Sequence, residues 1–81
     1  MNISGILVVA HPGRLFQCID SLHALPGVEL HHQDAATGKL IVTLEAESVD
    51  AEVEGLKRIK ALPDVILAEM VYHYLAQQQE L

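Results

Sequence analysis

Leu25-Pro26 returns 37 residues later as Leu62-Pro63, and its surroundings return with it. At the same step Ile3 maps to Leu40, Leu7 to Leu44, Ile19 to Leu56, Leu22 to Ile59, Ala24 to Ala61 and Val28 to Val65. An internal repeat dictates architecture, and two copies are too few for a solenoid. Two strand–helix–strand halves in one short chain predict a split sandwich of order β-α-β-β-α-β. The fold class expected is therefore α+β and ferredoxin-like: a four-stranded antiparallel sheet with two helices on one face. The other face is left open to bind something.

The local signals agree with that order. Residues 3–10 are branched and apolar, and read as a first strand. Pro12 suits the first turn of a helix. Leu15, Cys18, Ile19, Leu22 and Leu25 follow with helical spacing, and Pro26-Gly27 stops them. Residues 28–35 predict strand two, Ala36-Thr37-Gly38 a hairpin connection, and residues 40–47 strand three. Ser48 is a good N-cap for helix two, with Asp50 and Glu52 at its positive end and Lys57, Arg58 and Lys60 at its negative end. Val49, Val53, Leu56 and Ile59 are its expected inner stripe. Pro63-Asp64 breaks it, and residues 65–74 predict strand four. One domain is expected over residues 1–81, structured from 2 to 74, with a frayed tail from 75 to 81.

In this topology right-handed crossovers place both helices on one side of the sheet. Leu40, Val42, Leu44 and Ala46 of strand three should face them. Carried back by 37, that parity puts Ile3, Gly5, Leu7 and Val9 inside. Ser4, Ile6, Val8 and Ala10 then fall on the open face, beside Ile41, Thr43 and Glu45. Glu29, His31 and Gln33 of strand two and Glu69 of strand four would border this strip. On strand four, Ile66, Ala68, Met70 and Tyr72 are expected inside, and Leu67, Glu69, Val71 and His73 outside. An apolar strip rimmed by polar groups is a place for a partner.

Other chemistries find little support. The net charge of −6 disfavours nucleic acid, whose binding neutralises phosphates. An open sheet that stacks bases needs aromatics, and the chain has only Phe16, Tyr72 and Tyr74. The adjacent His31 and His32 should point to opposite faces of a strand and so cannot share an ion. Cys18 lies on the inner stripe of helix one and reads as core rather than nucleophile; being alone, it can form no intrachain disulfide. Arg14 is the one candidate anion binder near a helix start, and no Gly-rich phosphate loop accompanies it. The apolar run at residues 6–10 is too short for a signal-peptide core or a membrane helix. The expectation is a cytoplasmic, non-enzymatic protein without cofactor or metal, monomeric or a weak dimer.

Three segments carry a resemblance to a known family. They are Thr37-Gly38-Lys39-Leu40-Ile41-Val42-Thr43-Leu44-Glu45-Ala46, Leu25-Pro26-Gly27-Val28-Glu29, and Val71-Tyr72-His73. In order, spacing and total length the chain resembles the NapD family, small cytoplasmic chaperones of periplasmic nitrate reductase. The strand-one exit, Ala10-His11-Pro12-Gly13, departs from it. The resemblance implies no enzymatic activity and a specific partner: the twin-arginine signal peptide of the reductase catalytic subunit, NapA. Occupying that signal would delay export until the cofactor is loaded and the subunit folded. Combined with the open face, it makes Ser4, Ile6, Val8, Ala10, Glu29, His31, Ile41, Thr43, Glu45 and Glu69 the expected peptide-binding set. A competing reading is a small-molecule-sensing regulatory module of the same fold, resembling ACT domains.

Overall fold

The computed structural model describes residues 1–75. The expected tail falls, from residue 76 onward, outside the described residues. The elements run β1 (Asn2–Ala10), α1 (Leu15–His23), β2 (Val28–Asp34), β3 (Lys39–Ala46), α2 (Val49–Lys60) and β4 (Val65–Leu75). The strands form one antiparallel sheet in the order β2-β3-β1-β4, so β1 and β3 are central. This is the ferredoxin-like order predicted from the repeat.

Helix one starts later than expected. The Arg14 amide donates to the His11 carbonyl at 3.0 Å, and Gly13 has φ 77°. Pro12-Gly13 thus occupies the central positions of a tight turn of the kind that needs Pro first and Gly second. The helix begins only after it. Ser48 does cap α2: its Oγ accepts from the Ala51 amide at 3.1 Å.

The core is aliphatic. Ile6, Val8, Leu40, Val42 and Leu44 of the sheet pack against Leu15, Cys18, Ile19, Leu22 and Ile59 of the helices. This overturns the parity expected for β1. Ser4, Ile6, Val8 and Ala10 lie beneath the helices, while Ile3, Leu7 and Val9 are half-buried on the opposite side. The register makes the reason plain: Ser4, Ile6 and Val8 stand opposite Leu44, Val42 and Leu40. The helices obey the 37-residue step, since Cys18, Ile19 and Leu22 map onto Gly55, Leu56 and Ile59, all on the inner face of α2. The strands do not. Their inward residues are related by a step of 36, Ser4, Ile6 and Val8 matching Leu40, Val42 and Leu44, and a one-residue discrepancy exchanges the faces of a strand completely.

Helix two is also turned from its expected stripe. Glu52, Gly55 and Ile59 are buried, whereas Val49 and Val53 are exposed. A Cβ on Gly55 would come within 2.7 Å of Leu44 Cδ2. The missing side chain is what lets α2 settle onto β3 along this line.

Strand β4 contains two register shifts against β1, one skipping Val71 and one skipping Ile66. Each such bulge resets the alternation. Ala68 and Met70 stand opposite the inward Val8 and Ile6, and His73 opposite the inward Ser4. Leu67, Glu69 and Tyr72 stand opposite the outward Val9, Leu7 and Gly5. The expected inward Tyr72 and outward His73 are therefore exchanged; Ile66, expected inside, is like Val71 a bulge residue exposed at the sheet edge.

Candidate functional site

The open face exists, with different residues from those expected on β1. Its apolar floor is Ile3, Leu7 and Val9 of β1, Ile41 of β3, and Leu67 and Tyr72 of β4. Leu7 is paired with Ile41 on one side and Glu69 on the other. Tyr72 crosses the sheet over Gly5, where a Cβ would fall inside the phenol ring. Gly5 is thus buried on the otherwise open side by an aromatic from the neighbouring strand, an arrangement that protects a strand glycine.

Of the expected set, Glu29, His31, Ile41, Thr43, Glu45 and Glu69 lie on this face. Ser4, Ile6, Val8 and Ala10 do not; all four are buried under the helices. Ile3, Leu7, Val9 and Tyr72, expected inside, join this face, as does Leu67, which was expected outside but was not part of the set. For β1 no local signal separates the two faces, because both alternate sets are apolar. For Tyr72 the signal was the Val71 bulge, which leaves no mark in composition.

One corner of the face is acidic. Ile3, Gly27, Glu29, His31, Thr43 and Glu45 line an open cleft of about 530 Å³. His31 Nε2 lies 2.9 Å from Thr43 Oγ1 and 3.6 Å from Glu29 Oε1. Gly27, at φ 78°, accepts from the Glu45 amide at 2.8 Å and has no room for a Cβ against the Glu45 carbonyl. The Leu25-Pro26-Gly27 turn thereby fixes the backbone that presents Glu45. Lys39 stands at the opposite end of β3, beside Val9. The face is consequently polarised: carboxylates near Ile3, a cation near Val9.

A bulge also separates His31 from His32. The shift falls between Leu30 and His32, and His32 stands opposite Ile41. The alternation that was to send the two rings to opposite faces is interrupted between them. Among the described residues no three His, Cys, Asp or Glu side chains converge as metal ligands would.

The remaining polar candidates are held elsewhere. Arg14 Nε donates to Asp64 Oδ1 at 2.8 Å, tying the start of α1 to the loop before β4. Asp64 is nearly buried, and its backbone carbonyl accepts from the His11 amide at 2.9 Å. Cys18 is fully buried; burial pushes its thiol pKa up, and the Asp64 carboxylate adds to the shift. Such a thiol is a poor nucleophile.

The family model for NapD protein matches residues 1–77. The chain belongs to the NapD family. Chaperone NapD of Escherichia coli K12 is 30% identical over 79 residues, which span 98% of this chain and 91% of the relative. Chaperone NapD of Shigella flexneri matches to the same extent. Among solved structures, the solution structure of the E. coli Tat proofreading chaperone protein NapD superposes with a TM-score of 0.83 at 29% identity, covering 94% of this chain and 80% of that one. The three segments that carried the resemblance to the NapD family each have a task in this fold. The Thr37–Ala46 stretch forms the hairpin end and β3, the Leu25–Glu29 stretch shapes the acidic cleft, and Val71-Tyr72-His73 supplies the bulge, the ring over Gly5 and an inward imidazole.

Proposed function

We propose that this NapD family member is a cytoplasmic, non-enzymatic chaperone that binds the twin-arginine signal peptide of the periplasmic nitrate reductase catalytic subunit NapA. Binding withholds the subunit from export until its cofactor is in place and it has folded. The reading is supported by the family membership and by relatives described as a chaperone and as a Tat proofreading chaperone. The observation that carries it is the open face itself, an apolar floor with carboxylates at one corner.

A twin-arginine signal is a basic segment followed by a moderately apolar one. On this face the arginines belong at Glu29 and Glu45, away from Lys39. The apolar segment then runs diagonally over Leu7 and Val9 toward Leu67 and Tyr72, with Glu69 at its flank. Apolar burial supplies most of the affinity, at about 25 cal/mol per Å² before ordering costs. Exposed ion pairs contribute about 0–1 kcal/mol each and mainly speed encounter and set direction. Both edge strands carry bulges, which interrupt edge-to-edge pairing and favour a monomer.

Calorimetric titration with a synthetic twin-arginine peptide tests this. A 1:1 complex is expected, weakened when both arginines become glutamine. No heat with the peptide, together with a thermal shift produced by an amino acid or similar metabolite, would favour the small-molecule module instead.

A further inference from the structure

We propose that Glu52, buried in α2 and remote from the open face, is a positioning residue for peptide binding: through His73 it selects the bulged register of β4 that brings Tyr72 over Gly5. The importance of Tyr72 rests on the function proposed above; the register claim does not.

Glu52 is only 4% exposed, an unusual place for a carboxylate. Both oxygens have partners. Ser4 Oγ on β1 donates to Oε2, and His73 Nε2 on β4 lies 3.1 Å from Oε1. Ser4 and His73 face each other across the β1–β4 ladder. One carboxylate therefore fastens α2, β1 and β4 at a single rung. The next rung is Gly5 opposite Tyr72, and the Val71 bulge follows immediately.

Two registers compete at this end of β4. With unbroken alternation from Ala68 and Met70, Tyr72 would turn under the helices and His73 onto the open face. Glu52 would then keep Ser4 alone and lose its nitrogen partner. A buried carboxylate with an incomplete set of partners is strongly penalised. Inserting Val71 as a bulge turns His73 toward Glu52 and, as the neighbouring residue, sends Tyr72 out across Gly5. The apolar floor is completed on one face because a charge is satisfied on the other. Polar pairs that specify register are a known use of such groups.

The test uses the full chain and two readouts. The first is the Gly5 Hα resonance, displaced upfield by the ring current of Tyr72. In Glu52→Leu this displacement should vanish, and in Glu52→Gln, which retains hydrogen-bonding capacity toward Ser4 and His73, it should persist. The second is calorimetric affinity for the twin-arginine peptide. Glu52→Leu should raise Kd about tenfold, Tyr72→Ala should do the same, and the double variant should be no worse than either. If Glu52→Leu does not fold, His73→Leu, whose side chain is partly exposed, serves in its place. Retention of the upfield Gly5 resonance in either leucine variant would overturn the proposal. Additive losses in the double variant would overturn the route through Tyr72. If the wild-type chain binds no such peptide, the proposed function fails, while the Gly5 resonance still decides the register claim.

Discussion

The Tyr72 ring occupies the space that any side chain at Gly5 would require. These residues are register partners on β4 and β1, and their contact joins the edge of the open face to its centre. Gly5→Ala should therefore cost about 1–3 kcal/mol, the usual penalty for overpacking. Tyr72→Ala in the same chain should recover part of that loss. Urea denaturation of the two single variants and the double variant measures the coupling directly.

The two faces of β1 should respond oppositely to charge. Ile6→Asp or Val8→Asp places an unpaired carboxylate in the core and should cost more than about 4 kcal/mol, enough to unfold a small domain. Leu7→Lys, which faces Glu69 across the ladder, should leave the fold within about 1 kcal/mol of wild type and abolish peptide binding. Circular dichroism with denaturant, followed by calorimetry on the folded variants, separates these outcomes.

Cys18 gives stability an alkaline limit. Burial, reinforced by the Asp64 carboxylate, raises its pKa in the folded state, so the unfolded chain loses the thiol proton first. The folded state is favoured below the unfolded thiol value, about 8.5, and that advantage is lost as pH climbs through the raised folded value. Stability should fall over this range in wild type and fall less in Cys18→Ala. Asp64→Asn should lower the Cys18 pKa, which thiolate absorbance across a pH titration would register.

Charge at the acidic corner should act on rate more than on affinity. Glu29→Gln with Glu45→Gln should slow peptide association several-fold at low salt and flatten its salt dependence, with dissociation little changed. Stopped-flow measurements at two ionic strengths suffice. Equal salt dependence in wild type and variant would exclude steering by this corner.

Element order, sheet order and the inward set of β3 are legible in the sequence because the repeat and the alternation of Leu40, Val42 and Leu44 both report burial. The face of β1 is not, since Ile3, Leu7 and Val9 are as apolar as Ile6 and Val8. Borrowing its parity from β3 failed because the repeat gains a residue between strand and helix. Ser4 looked like a surface residue and is buried to serve Glu52, a partner 48 positions away. The tilt of α2 depends on Gly55 meeting Leu44, and the exchange of Tyr72 with His73 on a bulge. Each of these is a tertiary event that leaves only its endpoints in the chain. The carboxylates and Ile41 of the open face were legible because β3 alternates clearly and Glu29 lies beside it.

A titration of isotope-labelled protein with a twin-arginine peptide, followed residue by residue by NMR, tests the central claim most directly. Resonances of Leu7, Val9, Ile41, Thr43, Leu67 and Tyr72 should move, with those of Glu29 and Glu45 responding to the arginines and the exposed side of α1 unchanged. Shifts concentrated on the helices, with Leu7, Val9 and Ile41 unmoved, would contradict the account.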